Sequence, residues 1–150
     1  RELLPAWQVE MAGFFRLVVF NYLFANGDAH LKNFSVQQTP DGDYRLAPAY
    51  DLLNSHLHVD DGDFALSEGL MPRPEWSDTY ERTEHPCAED FRRFGRLAGL
   101  NDKQTDKVLA LFAEPKDEVA QLTKRSFLDK RLQRMYLQSY KERLSRFNRR

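Results

Sequence analysis

From Met11 to Phe24 nearly every position is apolar, broken only by Gly13, Arg16 and Asn21. On a helix such a run covers almost the whole circumference. The stretch from about Val9 to Ala25 is therefore predicted to be a helix that belongs in a core. Gly27 follows its end, where a chain leaving a helix often needs a left-handed residue. A polar loop, Asn26 to Asn33, comes next. Phe34 to Gln37 alternates and reads as a short strand, Pro40 to Asp43 as a turn, and Tyr44 to Ala47 as a returning strand. Together they make a hairpin. Pro48 to Leu53 leaves it. From Asn54 to Pro86 the pattern is weak and rich in acids, Gly and Pro, and predicts a long loop region with at most short elements.

The last third is helical in pattern. Phe91, Phe94 and Leu97 mark an amphipathic helix over Ala88 to Ala98, stopped by Gly99. Asn101 is placed to cap the next helix, with Gln104 in the capping-box position. Val108, Leu111 and Phe112 form its apolar face, and Pro115 breaks or restarts it. Leu128, Leu132, Met135, Tyr136, Tyr140, Leu144 and Phe147 make the stripe of a final helix from about Phe127 to Phe147. The fold class is mainly α with a small β-hairpin.

Composition narrows the function classes. The 150 residues, 41% of them hydrophobic and 11 of them Phe, fit one domain with its own core rather than a disordered chain. A single cysteine, Cys87, excludes an internal disulfide and favours a reducing, cytoplasmic setting. The longest apolar run, Phe14 to Ala25, holds Arg16 and Asn21 and is too short for a membrane span, and no signal peptide is visible. The sequence starts without Met and enters a helix almost at once, which suggests a piece of a longer protein. Net charge is −1, but ten Lys or Arg against two acids lie between Gln121 and Arg150. The basic final helix reads first as a solvated face, and second as a contact for nucleic acid or an acidic partner.

Three residues carry candidate chemistry. Asp28 and Asn33 lie five apart on the loop after the core helix, and Asp51 follows the hairpin. Phosphoryl transfer from ATP needs such a set: one carboxylate to orient the attacking hydroxyl and take its proton, and an amide oxygen with a second carboxylate to hold Mg²⁺. An Asp with an Asn five residues on is by itself a common turn pattern. The helix before it and the hairpin after it give it weight.

Asn26-Gly27-Asp28-Ala29-His30-Leu31-Lys32-Asn33-Phe34-Ser35, followed by Leu46-Ala47-Pro48-Ala49-Tyr50-Asp51-Leu52, resembles HipA-type serine/threonine protein kinases. The resemblance covers Phe14 to about Leu66. It implies the C-lobe of a protein-kinase-like fold, with Asp28 as catalytic base and Asn33 and Asp51 as Mg²⁺ ligands. It also implies His30 as a hydrogen-bonding partner of phosphate or of the base. Lys32 is a further catalytic and nucleotide-binding candidate. No Gly-rich loop and no strand-borne ATP-binding Lys occurs. In that family they lie before this segment, so the 150 residues alone are expected to be inactive. The biological role implied is the toxin of a bacterial toxin–antitoxin pair. Its substrate class is translation machinery, such as an aminoacyl-tRNA synthetase, and its antitoxin partner would link it indirectly to DNA.

Two alternatives stay open. One is a small-molecule kinase of the aminoglycoside or choline type, which shares the Gly-Asp start and the Asp-to-Asn spacing but usually has His where Asn26 stands. The other is a non-catalytic docking module. His56 and His58 near Asp60 and Asp61 suggest a transition-metal site only weakly, and a solvated acidic loop is the simpler reading. Gly62 would place Leu57 and Val59 at EF-hand ligand positions, which excludes that motif. Cys87 has no base partner in sequence and reads as structural or incidental.

Overall fold

A computed structural model describes residues 7–149. Among them six α-helices surround one another beside a two-stranded antiparallel hairpin. Helix α1 spans Trp7–Leu23 and is the centre of the molecule, packing on α4 (Asp102–Ala110), on α6 (Lys130–Phe147) and on strand β2 (Tyr44–Leu46). Its predicted all-round burial holds from Leu17 onward, where every position is buried or half-buried, while Val9 and Arg16 are exposed. Phe15, Val19, Tyr22 and Leu23 carry the core face. Tyr22 meets Phe91 of α3 (Ala88–Leu97) at 5.3 Å between ring centroids, and Phe91 meets Phe147 of α6 at 5.5 Å, so one aromatic column ties α1, α3 and α6 together.

Strand β1 is Val36–Gln38 and pairs with β2 in the register Val36↔Leu46, Gln37↔Arg45, Gln38↔Tyr44. The hairpin is one to two residues shorter at its open end than predicted. It is anchored to α1 because Glu10 Oε2 accepts a hydrogen bond of 2.9 Å from the Leu46 amide. Residues 54–86 hold only single helical turns at Ser55–Leu57 and Arg73–Glu75 and the short helix α2 (Asp78–Thr83), as expected. The segment is nevertheless part of the core, since Leu70, Met71 and Tyr80 are buried.

Helix α3 (Ala88–Leu97) ends at Gly99, whose φ of 86° only glycine adopts freely. The predicted capping box at α4 is present: Asn101 Oδ1 accepts from the Gln104 amide at 2.9 Å, and Gln104 Oε1 accepts from the Asn101 amide at 3.0 Å. The chain then turns at Pro115 into α5 (Asp117–Arg125). Helix α6 starts at Lys130, not Phe127. Asp129 caps it by accepting from the Leu132 amide at 2.8 Å, and Phe127 is left fully exposed. Its stripe also differs from the predicted one. Met135 is exposed, while Gln133 and Arg143 are buried beside Tyr140, Leu144 and Phe147. Of the basic residues counted near the end, Arg150 lies outside the described residues. No helix among the described residues is long and apolar enough to cross a membrane.

Candidate functional site

The loop after α1 is built by residues whose backbone polar groups reach across to residues 51–55. The left-handed residue that ends the helix is Ala25, with φ 57°, and not Gly27. Gly27 is needed for another reason: a Cβ there would stand 2.5 Å from the Gly62 carbonyl oxygen and 2.6 Å from Asp61 Cβ. The Gly27 amide donates to Ser55 Oγ at 2.9 Å, and the Ser55 amide donates to the Ala25 carbonyl at 3.1 Å. Asn26 is buried, and its Nδ2 donates to Asn21 Oδ1 at 3.2 Å and to the Asp51 carbonyl at 3.0 Å. Two acceptors on one side fix which way the amide faces.

Asn33 and Asp51, 18 residues apart in sequence, are brought together: Asn33 Nδ2 donates to Asp51 Oδ2 at 2.6 Å. Asn33 is buried in the single helical turn Leu31–Asn33, whereas Asp51 is exposed and holds φ 54°. That conformation costs a non-glycine residue about 1–2 kcal/mol, least for Asp and Asn. The Asn26 bond to its carbonyl holds it there. Asp28 is exposed, and its carboxylate has no hydrogen-bond or ion-pair partner among the described residues. Its carbonyl accepts from the His30 amide at 2.8 Å, which tightens the loop. His30 is half-buried, and its Nδ1 has no hydrogen-bond partner among the described residues. Lys32 is exposed with a free ammonium, and its carbonyl accepts from Tyr50 Oη at 2.7 Å.

The donor chemistry suits a hard cation. With Nδ2 committed to Asp51, the Asn33 Oδ1 is an uncharged oxygen without a protein partner beside a carboxylate. No group of three or more His, Cys, Asp or Glu able to hold a metal occurs among the described residues, so the pair would need ligands from phosphate or water. A cavity of about 390 Å³ opens next to this segment, lined by Glu10, Leu46, Ala47, Pro48, Ala49 and Leu52.

Sequence reading missed Asn26, Asn21 and Ser55 as loop-holders. The only signal was that Asn26 stands where related loops carry His. The acidic loop is solvated only in part. His58 and Asp60 are exposed, but His56 is half-buried, and the neighbouring Asp63 side chain is 9% exposed and pairs with Arg143 at 2.9 Å and with His85 Nδ1 at 2.7 Å. Cys87 is structural. It is buried, and that burial pushes its thiol above the usual range.

Comparison with known proteins adds an independent line. The family model described as "HipA-like C-terminal domain" matches residues 2–123. A protein named "Putative kinase" from Haemophilus influenzae is 28% identical over 141 residues, covering 89% of this chain and 41% of that protein. "Putative kinase Y4dM" from Sinorhizobium fredii is 32% identical over 127 residues, covering 82% of this chain and 21% of that one. The chain thus spans less than half the length of each of these two relatives.

Proposed function

This chain belongs to the HipA-like C-terminal domain family, and we propose that it is the catalytic and metal-binding half of an ATP-dependent kinase. Its relatives' names point to the same class. In this reading the helices and hairpin form the C-lobe of a protein-kinase-like fold, and a nucleotide-binding lobe is supplied from outside these 150 residues. The observation that carries the reading is the 2.6 Å pairing of Asn33 with Asp51, across the hairpin that follows the Asp28 loop.

The reaction is transfer of the ATP γ-phosphoryl group to a Ser or Thr hydroxyl of a protein. Asp28, whose carboxylate is uncommitted, accepts the hydroxyl proton as the oxygen attacks phosphorus. The new O–P bond replaces the bond to the β-phosphate oxygen, and ADP leaves. Asn33 Oδ1 and the Asp51 carboxylate would hold Mg²⁺, which supplies charge neutralisation at the phosphates. The His30 ring and the free ammonium of Lys32 offer donors to phosphate oxygens. By the family resemblance, the protein acts in the bacterial cytoplasm as a toxin restrained by an antitoxin. Its substrate is then a component of translation, such as an aminoacyl-tRNA synthetase.

The test is transfer of labelled γ-phosphate from ATP·Mg²⁺ by the full-length protein to a bacterial protein extract, with and without Asp28→Asn. A labelled band should appear and fall by about 10³-fold or more in the variant, the scale of losing a base in a positioned site. Transfer to small alcohols instead of protein would replace the protein-kinase reading with the small-molecule one. Absence of nucleotide binding would leave a docking module.

A further inference from the structure

Arg143 lies on α6, far in sequence from the Asp28 loop, yet its guanidinium joins three segments that hold that loop. It is buried, with 3% exposure. Its Nη1 donates to the Tyr22 carbonyl in the last turn of α1 at 3.0 Å and pairs with Asp63 Oδ1 at 2.9 Å. Its Nη2 lies 2.7 Å from His56 Nε2. The same ring nitrogen lies 3.1 Å from the Gly62 carbonyl oxygen, so His56 sits between Arg143 and the residues packed on Gly27. The second Asp63 oxygen is taken by His85 Nδ1 at 2.7 Å.

Each of the three segments touches the backbone just before Asp28. Helix α1 runs directly into it. The turn Ser55–Leu57, which carries His56, supplies the Ser55 hydroxyl that holds the Gly27 amide. Residues 61–63 place the Gly62 carbonyl and Asp61 where a side chain on Gly27 would stand. The Asp28 carboxylate has no partner of its own among the described residues, so its aim is set by this backbone. The junction of α1 with α6 also has apolar packing, since Phe24, just after α1, stacks on Tyr140 at 5.1 Å between centroids. A buried ion pair is an inefficient stabiliser beside a hydrophobic pair of similar volume. We propose that Arg143, together with Asp63, is a positioning residue that clamps residues 61–63 and the Ser55 turn onto Gly27 and thereby aims Asp28. This rests on the reading of Asp28 as the proton acceptor.

The test compares wild type and Arg143→Lys in the full-length protein. Lys keeps a cation opposite Asp63 but lacks the fork that serves three partners. The folded variant should lose about tenfold or more in kcat while KM for ATP stays within about twofold, as expected for a displaced base rather than a lost binding group. Hydrogen exchange read by mass spectrometry should speed up about tenfold or more at the Gly27 amide, while amides of α3 and α4 exchange as in wild type. If Arg143→Lys does not fold, His56→Ala removes one contact of the same guanidinium, leaves the ion pair, and gives both readouts. Unchanged kcat with unchanged Gly27 exchange overturns the proposal. So does a uniform rise in exchange across all helices, which marks a purely structural role. If wild type transfers no phosphoryl group, the kinase reading falls, and exchange at Gly27 alone decides whether the clamp exists.

Discussion

Asp51 combines two demands in one residue. Its backbone sits at φ 54°, and its carboxylate meets Asn33. The two can be separated by substitution. Asn tolerates the left-handed region as well as Asp does, so Asp51→Asn should keep stability within about 0.5–1 kcal/mol. On the reading of Asp51 as a Mg²⁺ ligand, it should also lose Mg²⁺ affinity, because a carboxylate oxygen becomes an amide. Asp51→Val should cost about 2 kcal/mol or more, since a β-branched side chain is a genuine outlier there. Urea denaturation and calorimetric Mg²⁺ titration of both variants check this, and equal stability losses would show that the backbone is not the constraint. The nearness of Asn33 and Asp51 was legible in the sequence because one hairpin brings them together. Asn26 was not, because its role depends on Asn21 and the Asp51 carbonyl, contacts that no spacing rule encodes. Arg143 and Asp63 were hidden further, Arg143 among basic residues taken for a solvated face and Asp63 in a segment without a periodic pattern.

Between elements, the junction of α2 and α3 depends on one buried carboxylate. Asp90 is fully buried and accepts from the Ser77 amide at 2.8 Å, from Ser77 Oγ at 2.9 Å and from the Cys87 amide at 3.0 Å. Ser77 in turn caps α2 by accepting from the Tyr80 amide at 3.1 Å. A single side chain therefore secures the starts of two helices. Asp90→Ala leaves two buried amides without acceptors, each worth about 1–3 kcal/mol, and should destabilise the fold by about 3 kcal/mol or more. Chemical denaturation measures it, and a loss under about 1 kcal/mol would mean that water replaces the carboxylate. Where a local rule governs, the elements could be read ahead: the Asn101–Gln104 capping box and the Gly99 stop are both in place. The start of α6 was misread because Phe127 and Leu128 continue the apolar periodicity. Asp129, a better cap, starts the helix after them. The close approach of α3 to α4, where a Cβ on Gly95 would stand 2.6 Å from Thr105 Oγ1, left no mark in the pattern beyond the glycine itself.

At the scale of the whole molecule, helix content and the single core were legible from periodicity, but the contribution of residues 54–86 to that core was not, because Leu70, Met71 and Tyr80 sit in irregular backbone without a period. That same core holds tyrosines whose ionisation is coupled to folding. Burial pushes the Tyr80 phenol up to about 12 and is also the main cause that raises Tyr22, whose hydroxyl donates to the Pro86 carbonyl at 3.0 Å. Arg143 beside the Tyr22 ring pulls the other way without reversing the shift. In the unfolded chain both phenols ionise near about 10. Above that pH the native state binds more protons than the unfolded state, so stability falls as pH rises. The contribution is complete below about 10 and is lost through 12 and beyond. The urea midpoint should therefore hold steady from neutral pH until near 10 and then drop, and part of the tyrosinate absorbance of the six tyrosines should appear only together with loss of the helical signal. Tyr22→Phe should lower the stability by about 1 kcal/mol at neutral pH for the lost hydrogen bond, and should flatten the fall above about 10. Complete tyrosine ionisation near 10 with the helical signal intact would show that these rings are open to solvent, and with them the column that joins α1, α3 and α6.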